Sequence, residues 1–504
     1  MGKVYLVGGG PSDTELMTVK ARRLIAEADV VVCDQLVGDA ILSLIPADTE
    51  VIDVGKRSGN HTMPQEKINE LLCDLSRDHN CVVRLKGGDP FLFGRGGEEV
   101  EEMLRQGVEY EIVPGVTSAI SVPAYNGIPV THRDFTPSVH IITGHRRAGQ
   151  PFDLPFKAYV ETKGTLVFLM GLAALPDIVA ELKKAGMAGD MPAAVLSRGT
   201  TSGQKRVVSD LDHIEADVKA AAIPTPAIIV VGRVCGLSET FAWAEKRPLF
   251  GMKMYVTRPR DRASSLTEKL RKLGAEVIEI PTVKSVERPI NDEIRAAYEK
   301  LGTYTCLGFT SPFGVTTFMN QLKALKMDIR AIGQAKIAAI GTGTKKALED
   351  IGLQVDYMPE VYEGAAMGRL LGNELSDGDS VLLPRSAQGG QEILAEMKNA
   401  KNLSITDLPI YDTVKTELPA HHPLAAKPGI FEDEAERSYV LFTSASTVQG
   451  FAAMLPDAPF DKIKALCIGR MTAREAEKLG MPLKISQKAT IDSLVELALD
   501  CAGC

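Results

Sequence analysis

The chain has few aromatic residues and no long hydrophobic run. Of its 504 residues, 5% are Phe, Trp or Tyr, and only one is Trp. Its longest apolar runs, such as AIIVVG, have the length of a strand and fall well short of the roughly 20 residues that cross a bilayer as a helix. The first residues, MGKVYLVGGG, lack the charged leader and cleavage site of a secretory signal. We therefore expect no membrane partner and a cytoplasmic location.

The chain also lacks an excess of basic charge and a framework of paired cysteines. Its formal net charge is -8 at pH 7, which argues against a nucleic-acid partner. Its eight cysteines are scattered, as expected for reduced thiols. The terminal pair, Cys501 and Cys504, has no neighbouring histidine or second pair, so we predict no metal site. A polyanionic ligand would have to meet local clusters of Arg and Lys.

Length and periodicity indicate several α/β packing units. A chain of 504 residues exceeds what one hydrophobic core supports. In the first half, apolar runs such as KVYLVG alternate with amphipathic segments such as ELMTVKARRLIAEA. This alternation predicts parallel-rich sheets covered by helices, with ligands at the carboxyl ends of the strands. A polar segment precedes the new strand KMYVTRP, so we place a linker at 247–252 between domains 1–246 and 253–504.

The second half contains an internal repeat. Three pairs of segments occur in the same order: VTRPRDRASSLTEKLRKLGAEVIEI resembles LLPRSAQGGQEILAEMKNAKNLSITDL, GFTSPFGVTTFMNQL resembles LFTSASTVQGFAAML, and AAIGTGTKKALEDIGLQVDYM resembles LCIGRMTAREAEKLGMPLKI. The repeat predicts two similar α/β lobes joined by crossings. Thr310-Ser311 and Thr443-Ser444 follow equivalent strands. We expect these hydroxyl groups to cap helices and to be available to a ligand in a cleft.

Glycine-rich loops follow two strands of the first half. In VVRLKGGDPFLFGRGGEE the strand breaks at Gly87 and Gly88 before a second glycine-rich turn opens a helix. Such loops let backbone N–H groups approach a ligand, and a helix N-terminus favours negative groups. The loop Gly8-Gly9-Gly10-Pro11 lacks the third glycine of the dinucleotide fingerprint, and GTGTK at 341–345 lacks the spacing of a P-loop. Neither NAD nor ATP is predicted.

Residues 1 to about 246 resemble the uroporphyrinogen-III C-methyltransferase family of tetrapyrrole methylases. The resemblance rests on VYLVGGGPSDTELMTVKA, VVRLKGGDPFLFGRGGEE and VPGVTSAISVPAYNGIPVTHRDF. It implies two α/β subdomains, a homodimer, and transfer of methyl groups from two S-adenosylmethionine molecules to uroporphyrinogen III, giving precorrin-2 without a metal. The family commonly has glycine where this chain has Ser12, a residue that is unstrained only if its φ is negative.

Residues 253–504 resemble the uroporphyrinogen-III synthase family. The resemblance rests on VTRP, GFTS, IGTGT, LPIYDTV, LFTSAS and CIGRMTA. It implies cyclisation of hydroxymethylbilane with inversion of one ring, so the second half would make the substrate of the first in a bifunctional enzyme on the way to sirohaem or cobalamin. Two alternatives stay open: a methylase acting on another tetrapyrrole, and a second half that senses a ligand without catalysis.

The resemblances also assign site residues. Asp34 and Lys56 match the proposed proton acceptor and donor of the methyltransferase, and Tyr411 matches the synthase tyrosine proposed to assist hydroxide departure. The positions that match cofactor contacts are Pro11, Gly87, Gly88, Asp89, Leu92, Thr117, Ser118, Met170, Gly199 and Ala227. The candidates for contact with the polycarboxylate substrates are Arg84, Lys86, Arg95, Arg133 and Arg146 in the first half and Thr310, Ser311, Arg385, Thr443 and Ser444 in the second.

Overall fold

The part of the chain that the structure describes forms four five-stranded sheets, which are flanked by helices. The computed structural model describes residues 2–55, 63–145, 154–257, 260–426, 431 and 437–503, so Lys56 and Arg146 lie outside the described residues. Two compact units form, Met1–Ile280 with Leu418–Cys504, and Pro281–Glu417. Within the described ranges, no helix has the length and apolarity needed to cross a membrane, and no disulfide joins the seven cysteines.

The first sheet carries the N-terminal glycine loops. Its elements are β1 (Lys3–Gly8), α1 (Val19–Glu27), β2 (Val30–Cys33), α2 (Asp39–Leu42), β3 (Glu50–Asp53), α3 (Gln65–Asp78), β4 (Cys81–Lys86), α4 (Gly96–Gln106), β5 (Glu109–Val113) and α5 (Ser118–Tyr125). The strand order is β3-β2-β4-β1-β5, and every pair is parallel. The loops after β1, β4 and β5 therefore leave the same edge of the sheet, as predicted.

The second sheet is mostly antiparallel, so the expectation of parallel-rich sheets is wrong here. Its elements are β6 (Val139–Thr143), α6 (Phe156–Glu161), β7 (Thr165–Leu169), α7 (Leu175–Lys184), β8 (Pro192–Ser197), β9 (Lys205–Asp210), α8 (Ile214–Ala220) and β10 (Ala227–Val231). In the order β6-β7-β10-β8-β9, only β6 and β7 are parallel. The loop 198–204 joins β8 to β9 without a crossover helix, which favours an antiparallel pair.

The remaining chain forms two lobes. Its elements are β11 (Lys253–Val256), α9 (Arg260–Lys272), β12 (Glu276–Glu279), β13 (Val283–Glu287), α10 (Asp292–Glu299), β14 (Cys306–Phe309), α11 (Pro312–Ala324), β15 (Lys336–Ala339), α12 (Thr342–Glu349), α13 (Gly364–Glu374), β16 (Ser380–Ser386), α14 (Glu392–Ala400), β17 (Ser404–Lys415), α15 (Pro423–Ala426), β18 (Ser438–Phe442), α16 (Ala445–Met454), β19 (Ala465–Cys467), α17 (Arg470–Lys478), β20 (Leu483–Ile485) and α18 (Ile491–Ala502). The first lobe comprises 253–280 and 418–503, and the second lobe comprises 281–417.

Each lobe combines parts of both sequence repeats. The sheet of the first lobe has the order β12-β11-β18-β19-β20 and is parallel. The sheet of the second lobe has the order β13-β17-β16-β14-β15, with only β13 antiparallel. The start of one repeat therefore pairs with the end of the other in each lobe. The prediction of two similar lobes joined by crossings is confirmed.

The segment 247–252, predicted as a linker, packs against the first lobe. Leu249 and Met252 are buried in an apolar cluster that includes Leu266 of α9. The N–H of Leu249 also donates to the carbonyl of Leu273 at 2.8 Å. The methylase-like half and the first lobe thus share one compact unit.

Candidate active sites

Three loops of the first sheet meet backbone to backbone at what we name the glycine junction: Gly8, Gly10, Gly88 and Gly115. The N–H of Gly88 donates to the carbonyl of Gly10 at 2.8 Å, and the N–H of Gly10 donates to the carbonyl of Gly88 at 3.1 Å. A Cβ on Gly115 would lie 2.1 Å from the carbonyl oxygen of Gly88. Only glycine permits this approach, so the junction fixes the loops after β1, β4 and β5 relative to one another.

Asp89 and Thr117 organise the same loops. The Asp89 Oδ1 accepts from the N–H groups of Phe91 at 2.8 Å and Leu92 at 3.1 Å, and its Oδ2 accepts from Gly115 at 3.0 Å. The Thr117 hydroxyl caps α5 by accepting from the N–H of Ala119 at 3.2 Å. Ser118 is the first residue of that helix. Both carboxylate oxygens of Asp89 hold backbone, so this residue shapes the loop.

The second sheet supplies the remaining predicted cofactor positions. Ala227 pairs with Ser197 at the end of β8, and the next residue of its strand pairs with Leu169, so Met170, Gly199 and Ala227 share one edge. The Thr200 hydroxyl donates to the carbonyl of Pro11 at 2.6 Å. Loop 198–204 therefore contacts the loop after β1, and the structure brings the predicted positions of both sheets together.

Backbone strain is concentrated in these loops. The non-glycine residues with positive φ here are Ser12 at 104°, Phe93 at 53°, Arg95 at 57°, Met170 at 57°, Arg198 at 46° and Thr200 at 71°. Such conformations cost free energy and persist where the surrounding structure enforces them, often at functional sites. Ser12 would be unstrained only with a negative φ, and its φ is positive. The serine therefore occupies a conformation that favours glycine, the residue that is common here in the family.

Replacing Ser12 with glycine is expected to raise the free energy of unfolding by about 1 kcal/mol, because glycine removes the strain of a positive φ. Urea unfolding followed by the fluorescence of Trp243, the single tryptophan, measures this effect. The matched control is Ser446→Gly in the helical α16, where glycine is expected to lower stability. Equal shifts in the two variants would contradict the argument.

A buried cluster of charges lies next to Asp34. The Arg84 Nε and the Lys86 Nζ donate to the Glu99 Oε1 at 3.1 and 2.8 Å. The Asp34 Oδ2 accepts from the Arg84 Nη2 at 3.3 Å, and its Oδ1 accepts from the N–H of Leu36 at 3.1 Å. Glu99 is fully buried, and burial lowers the pKa of Lys86, with the charge of Arg84 acting in the same direction.

This cluster changes how the predicted substrate cations are interpreted. Arg84 and Lys86 are only 2% and 5% exposed, so their charges are already balanced inside the protein. Arg133 is exposed, and the exposed Arg95 forms a two-contact ion pair with Glu98 at 2.8 and 2.6 Å. These two remain accessible to a polycarboxylate, whereas contact at Arg84 or Lys86 would require the cluster to open. The Asp34 side chain is 26% exposed.

Sequence reasoning missed Glu99, which joins the two buried cations. In the motif GRGGEE, two adjacent glutamates differ in their positions on α4: Glu98 faces solvent and Glu99 faces the sheet. The available signal was helical periodicity, because Glu99 precedes the buried Met103 by four residues and shares its face. A charge on an apolar helix face indicates a buried partner.

In the second lobe, Ser311 and Tyr411 form a hydrogen bond. Their hydroxyl oxygens are 2.7 Å apart, and the Ser311 Oγ also accepts from the N–H of Gly314 at 2.9 Å, which caps α11. The Tyr411 side chain is buried, and its ring meets the edge of Phe313 at a centroid distance of 5.1 Å. The structure thus brings two predicted site residues into direct contact and fixes the phenol.

Arg385 is held by neighbouring groups of the second lobe. Its Nε and Nη2 donate to the two carboxylate oxygens of Asp407 at 2.5 and 2.8 Å, and its Nη1 donates to the carbonyl of Gly390 at 2.7 Å. The residue is 3% exposed. Its guanidinium therefore braces β16 against β17, and contact with a substrate would need this pair to separate. Thr310 is half-buried beside the Ser311 cap.

In the first lobe, Ser444 caps α16. Its hydroxyl accepts from the N–H of Thr447 at 3.3 Å, and the Thr447 hydroxyl accepts in return from the N–H of Ser444 at 3.3 Å. Thr443 is half-buried immediately before this cap. The expectation that Ser311 and Ser444 cap equivalent helices of the repeat is confirmed.

Comparisons with known proteins identify both halves. Residues 3–215 match the family of Tetrapyrrole (Corrin/Porphyrin) Methylases, and residues 264–496 match Uroporphyrinogen-III synthase HemD. The chain is thus a fusion of a tetrapyrrole methylase with a uroporphyrinogen-III synthase. It is 40% identical over 502 residues to porphyrin biosynthesis protein HemD of Ruminiclostridium josui, covering 100% of this chain and 98% of that protein. The chain belongs to this HemD family.

Two further comparisons each cover part of the chain. A uroporphyrinogen-III C-methyltransferase of Bacillus subtilis (strain 168) is 39% identical over 356 residues, which are 70% of this chain and 72% of that protein. A crystal structure of uroporphyrin III C-methyl transferase from Thermus thermophilus is 40% identical and covers 46% of this chain and 98% of its own, with a TM-score of 0.41. The chain is an enzyme of tetrapyrrole biosynthesis with methyltransferase and synthase domains.

Proposed function

We propose that the C-terminal half converts hydroxymethylbilane to uroporphyrinogen III, and that the N-terminal half methylates this product twice with S-adenosylmethionine to give precorrin-2. The observation that carries the proposal is the contact between the glycine junction loops and loop 198–204 in a chain that also contains the synthase. We also propose a domain boundary at 247–252 and a homodimer formed through the methyltransferase half. Sedimentation of the full chain tests the dimer.

The loop geometry fits S-adenosylmethionine. A Cβ built on Gly88, whose φ is 68°, would have no neighbour closer than 3.9 Å, so its backbone is open to a ligand. The Met170 side chain is 53% exposed at the edge of the second sheet. When bound, S-adenosylmethionine supplies an electrophilic methyl group on a sulfonium. We propose that it is held mainly through backbone groups, at Pro11, Gly87, Gly88, Leu92, Thr117, Ser118, Met170, Gly199 and Ala227.

Asp34 is proposed to accept the proton that the macrocycle loses. The methyl–sulfur bond of the donor would break with its electron pair left on sulfur as a reduced pyrrole carbon bonds to the methyl group. This leaves a positive charge on the ring system until a proton departs. Asp34 is the partly exposed carboxylate beside the buried cluster, and the N–H of Leu36 and the guanidinium of Arg84 hold its two oxygens. Lys56 is proposed as the donor. Arg95 and Arg133 are proposed to bind substrate carboxylates.

Tyr411 is proposed to act as the acid in the synthase. The C–O bond of the hydroxymethyl group breaks, the electron pair leaves with oxygen, and the phenol proton converts hydroxide to water before ring closure. Ser311 orients the phenol through the 2.7 Å hydrogen bond. The linear polyanion is flexible and can close to the wrong ring isomer. The proposed role of the synthase half is to hold it in the one conformation that closes to the correct isomer.

Replacing Tyr411 with phenylalanine is expected to slow formation of uroporphyrinogen III by at least roughly tenfold, because a general acid contributes this much or more. The rate is measured by chromatography of the oxidised porphyrins. Tyr298→Phe is the matched control, since Tyr298 is a buried tyrosine of the same lobe whose hydroxyl donates to Gln321. It should affect stability and leave the rate near that of the wild type. Equal rates for both variants would remove Tyr411 from the mechanism.

The experiment that tests the whole proposal is a coupled assay on the purified chain. Hydroxymethylbilane is supplied with and without S-adenosylmethionine, and the products are oxidised and separated. Uroporphyrin III without the methyl donor and a dimethylated product with it are the expected results. Uroporphyrin I alone would reject the synthase assignment. Supplied uroporphyrinogen III that stays unmethylated would reject the methyltransferase assignment independently.

A further inference from the structure

The first lobe of the synthase contacts loop 198–204 of the methyltransferase half. The backbone N–H and the hydroxyl of Ser202 both donate to the Glu276 Oε2, at 2.9 and 2.5 Å. Glu276 is the first residue of β12, and its side chain is only 10% exposed. A single, largely buried carboxylate from the synthase half therefore holds the loop that contains Gly199 and Thr200.

The same lobe also contacts helix α2, which follows the loop of Asp34. Lys253, the first residue of β11, is 6% exposed, and its Nζ lies 3.9 Å from the Asp39 Oδ2 and 4.0 Å from the Glu276 Oε2. Ala40 of α2 is buried in the apolar cluster of the first lobe. Glu276 thus holds loop 198–204, while the neighbouring Lys253 and the cluster around Ala40 contact helix α2. The strand pair β11–β12 therefore contacts two segments of the methyltransferase half.

We propose that Glu276 is a positioning residue of the methyltransferase, through which the synthase lobe sets the affinity for S-adenosylmethionine. The inference rests on the proposed function of loop 198–204. Glu276 holds Ser202, and two residues earlier the Thr200 hydroxyl donates to the carbonyl of Pro11 at 2.6 Å. Thr200 has a φ of 71°, a conformation that needs support from its surroundings. Loss of the carboxylate removes that support.

The test is calorimetric binding of S-adenosylhomocysteine to the full chain. Glu276→Ala is expected to raise the dissociation constant roughly tenfold, because two hydrogen bonds to a charged acceptor are lost. In steady-state methylation, KM for S-adenosylmethionine should rise while kcat at saturation is retained. The rate of uroporphyrinogen III formation should be unchanged. Glu477→Ala, an exposed glutamate of α17 in the same lobe, is the matched control and should change none of these values.

A second variant separates positioning from general damage. Ser202→Ala keeps the backbone N–H donor and should raise the dissociation constant by less than Glu276→Ala, and the double variant should match Glu276→Ala alone. An unchanged dissociation constant in folded Glu276→Ala would overturn the inference. If Glu276→Ala does not fold, as judged by Trp243 fluorescence, an unchanged value in Ser202→Ala would overturn it. A wild-type chain that binds no S-adenosylhomocysteine would instead reject the proposed function.

Discussion

Replacing Glu99 with alanine is expected to destabilise the methyltransferase half by about 3 to 5 kcal/mol, because it leaves two buried cations without their shared partner. Arg84 and Lys86 both donate to the Glu99 Oε1, and all three residues are at most 5% exposed. Urea unfolding followed by Trp243 fluorescence reports on this half, since the Trp243 indole donates to the carbonyl of Ala124 at 2.9 Å.

The neighbouring glutamate provides the matched control. Glu98 lies on the same helix and pairs with Arg95 at 2.6 Å, but both side chains are about half exposed. Glu98→Ala is therefore expected to cost less than about 1 kcal/mol, as for other exposed ion pairs. Similar losses in the two variants would show that Glu99 does not neutralise a buried charge.

The pH dependence of the stability lost in Glu99→Ala gives a second measurement. Burial places the folded-state pKa of Lys86 below its ordinary value of 10.5, so at high pH the unfolded chain binds more protons than the folded one. Stability from this group therefore rises with pH between the folded-state pKa and 10.5. Glu99 raises the pKa of Lys86, so its removal lowers that pKa further. The destabilisation by Glu99→Ala should accordingly be smaller at pH 9.5 than at pH 7.

The sequence predicted the backbone features of the site better than its charges. The break of the strand VVRLK at Gly87 and Gly88 predicts the loop after β4, and the alternation of strand and helix predicts the parallel first sheet. Arg84 and Lys86 are candidates for substrate contact in the sequence, but both are buried in the structure. Their burial depends on Glu99, which is 15 positions after Arg84 and becomes its neighbour only when α4 packs on the sheet.

Two features of the fold depend on tertiary pairing that no local pattern reveals. The repeat predicted two similar lobes, but similarity between repeats does not say which strands pair, and each lobe proved to combine parts of both repeats. The contact between Glu276 and Ser202 cannot be predicted from the sequence for the same reason. It opens an ordinary strand, EVIE, and its partner Ser202 is 74 positions earlier in the chain. The strain at Ser12, in contrast, can be anticipated from the sequence, because the family commonly has glycine at that position.

Replacing Gly115 with alanine is expected to abolish measurable binding of S-adenosylhomocysteine and to destabilise the methyltransferase half by about 3 kcal/mol. The added Cβ would lie 2.1 Å from the carbonyl oxygen of Gly88 and 2.7 Å from the Cα of Gly8. Both neighbours are backbone atoms, so no side chain can rotate away. The loops after β1, β4 and β5 must separate, which breaks the hydrogen bonds between Gly10 and Gly88.

Gly97 provides the control for this substitution. It lies in α4, and a Cβ built there meets nothing within 4 Å. Gly97→Ala is therefore expected to leave binding unchanged and to raise stability by about 0.5 kcal/mol, since alanine restricts the unfolded chain without strain in the helix. Binding is measured by calorimetry and stability by Trp243 fluorescence in urea. The three loops cannot keep their present separation around the added methyl group. If Gly115→Ala nevertheless bound S-adenosylhomocysteine like the wild type, the glycine junction would not be the element that holds the cofactor loops together.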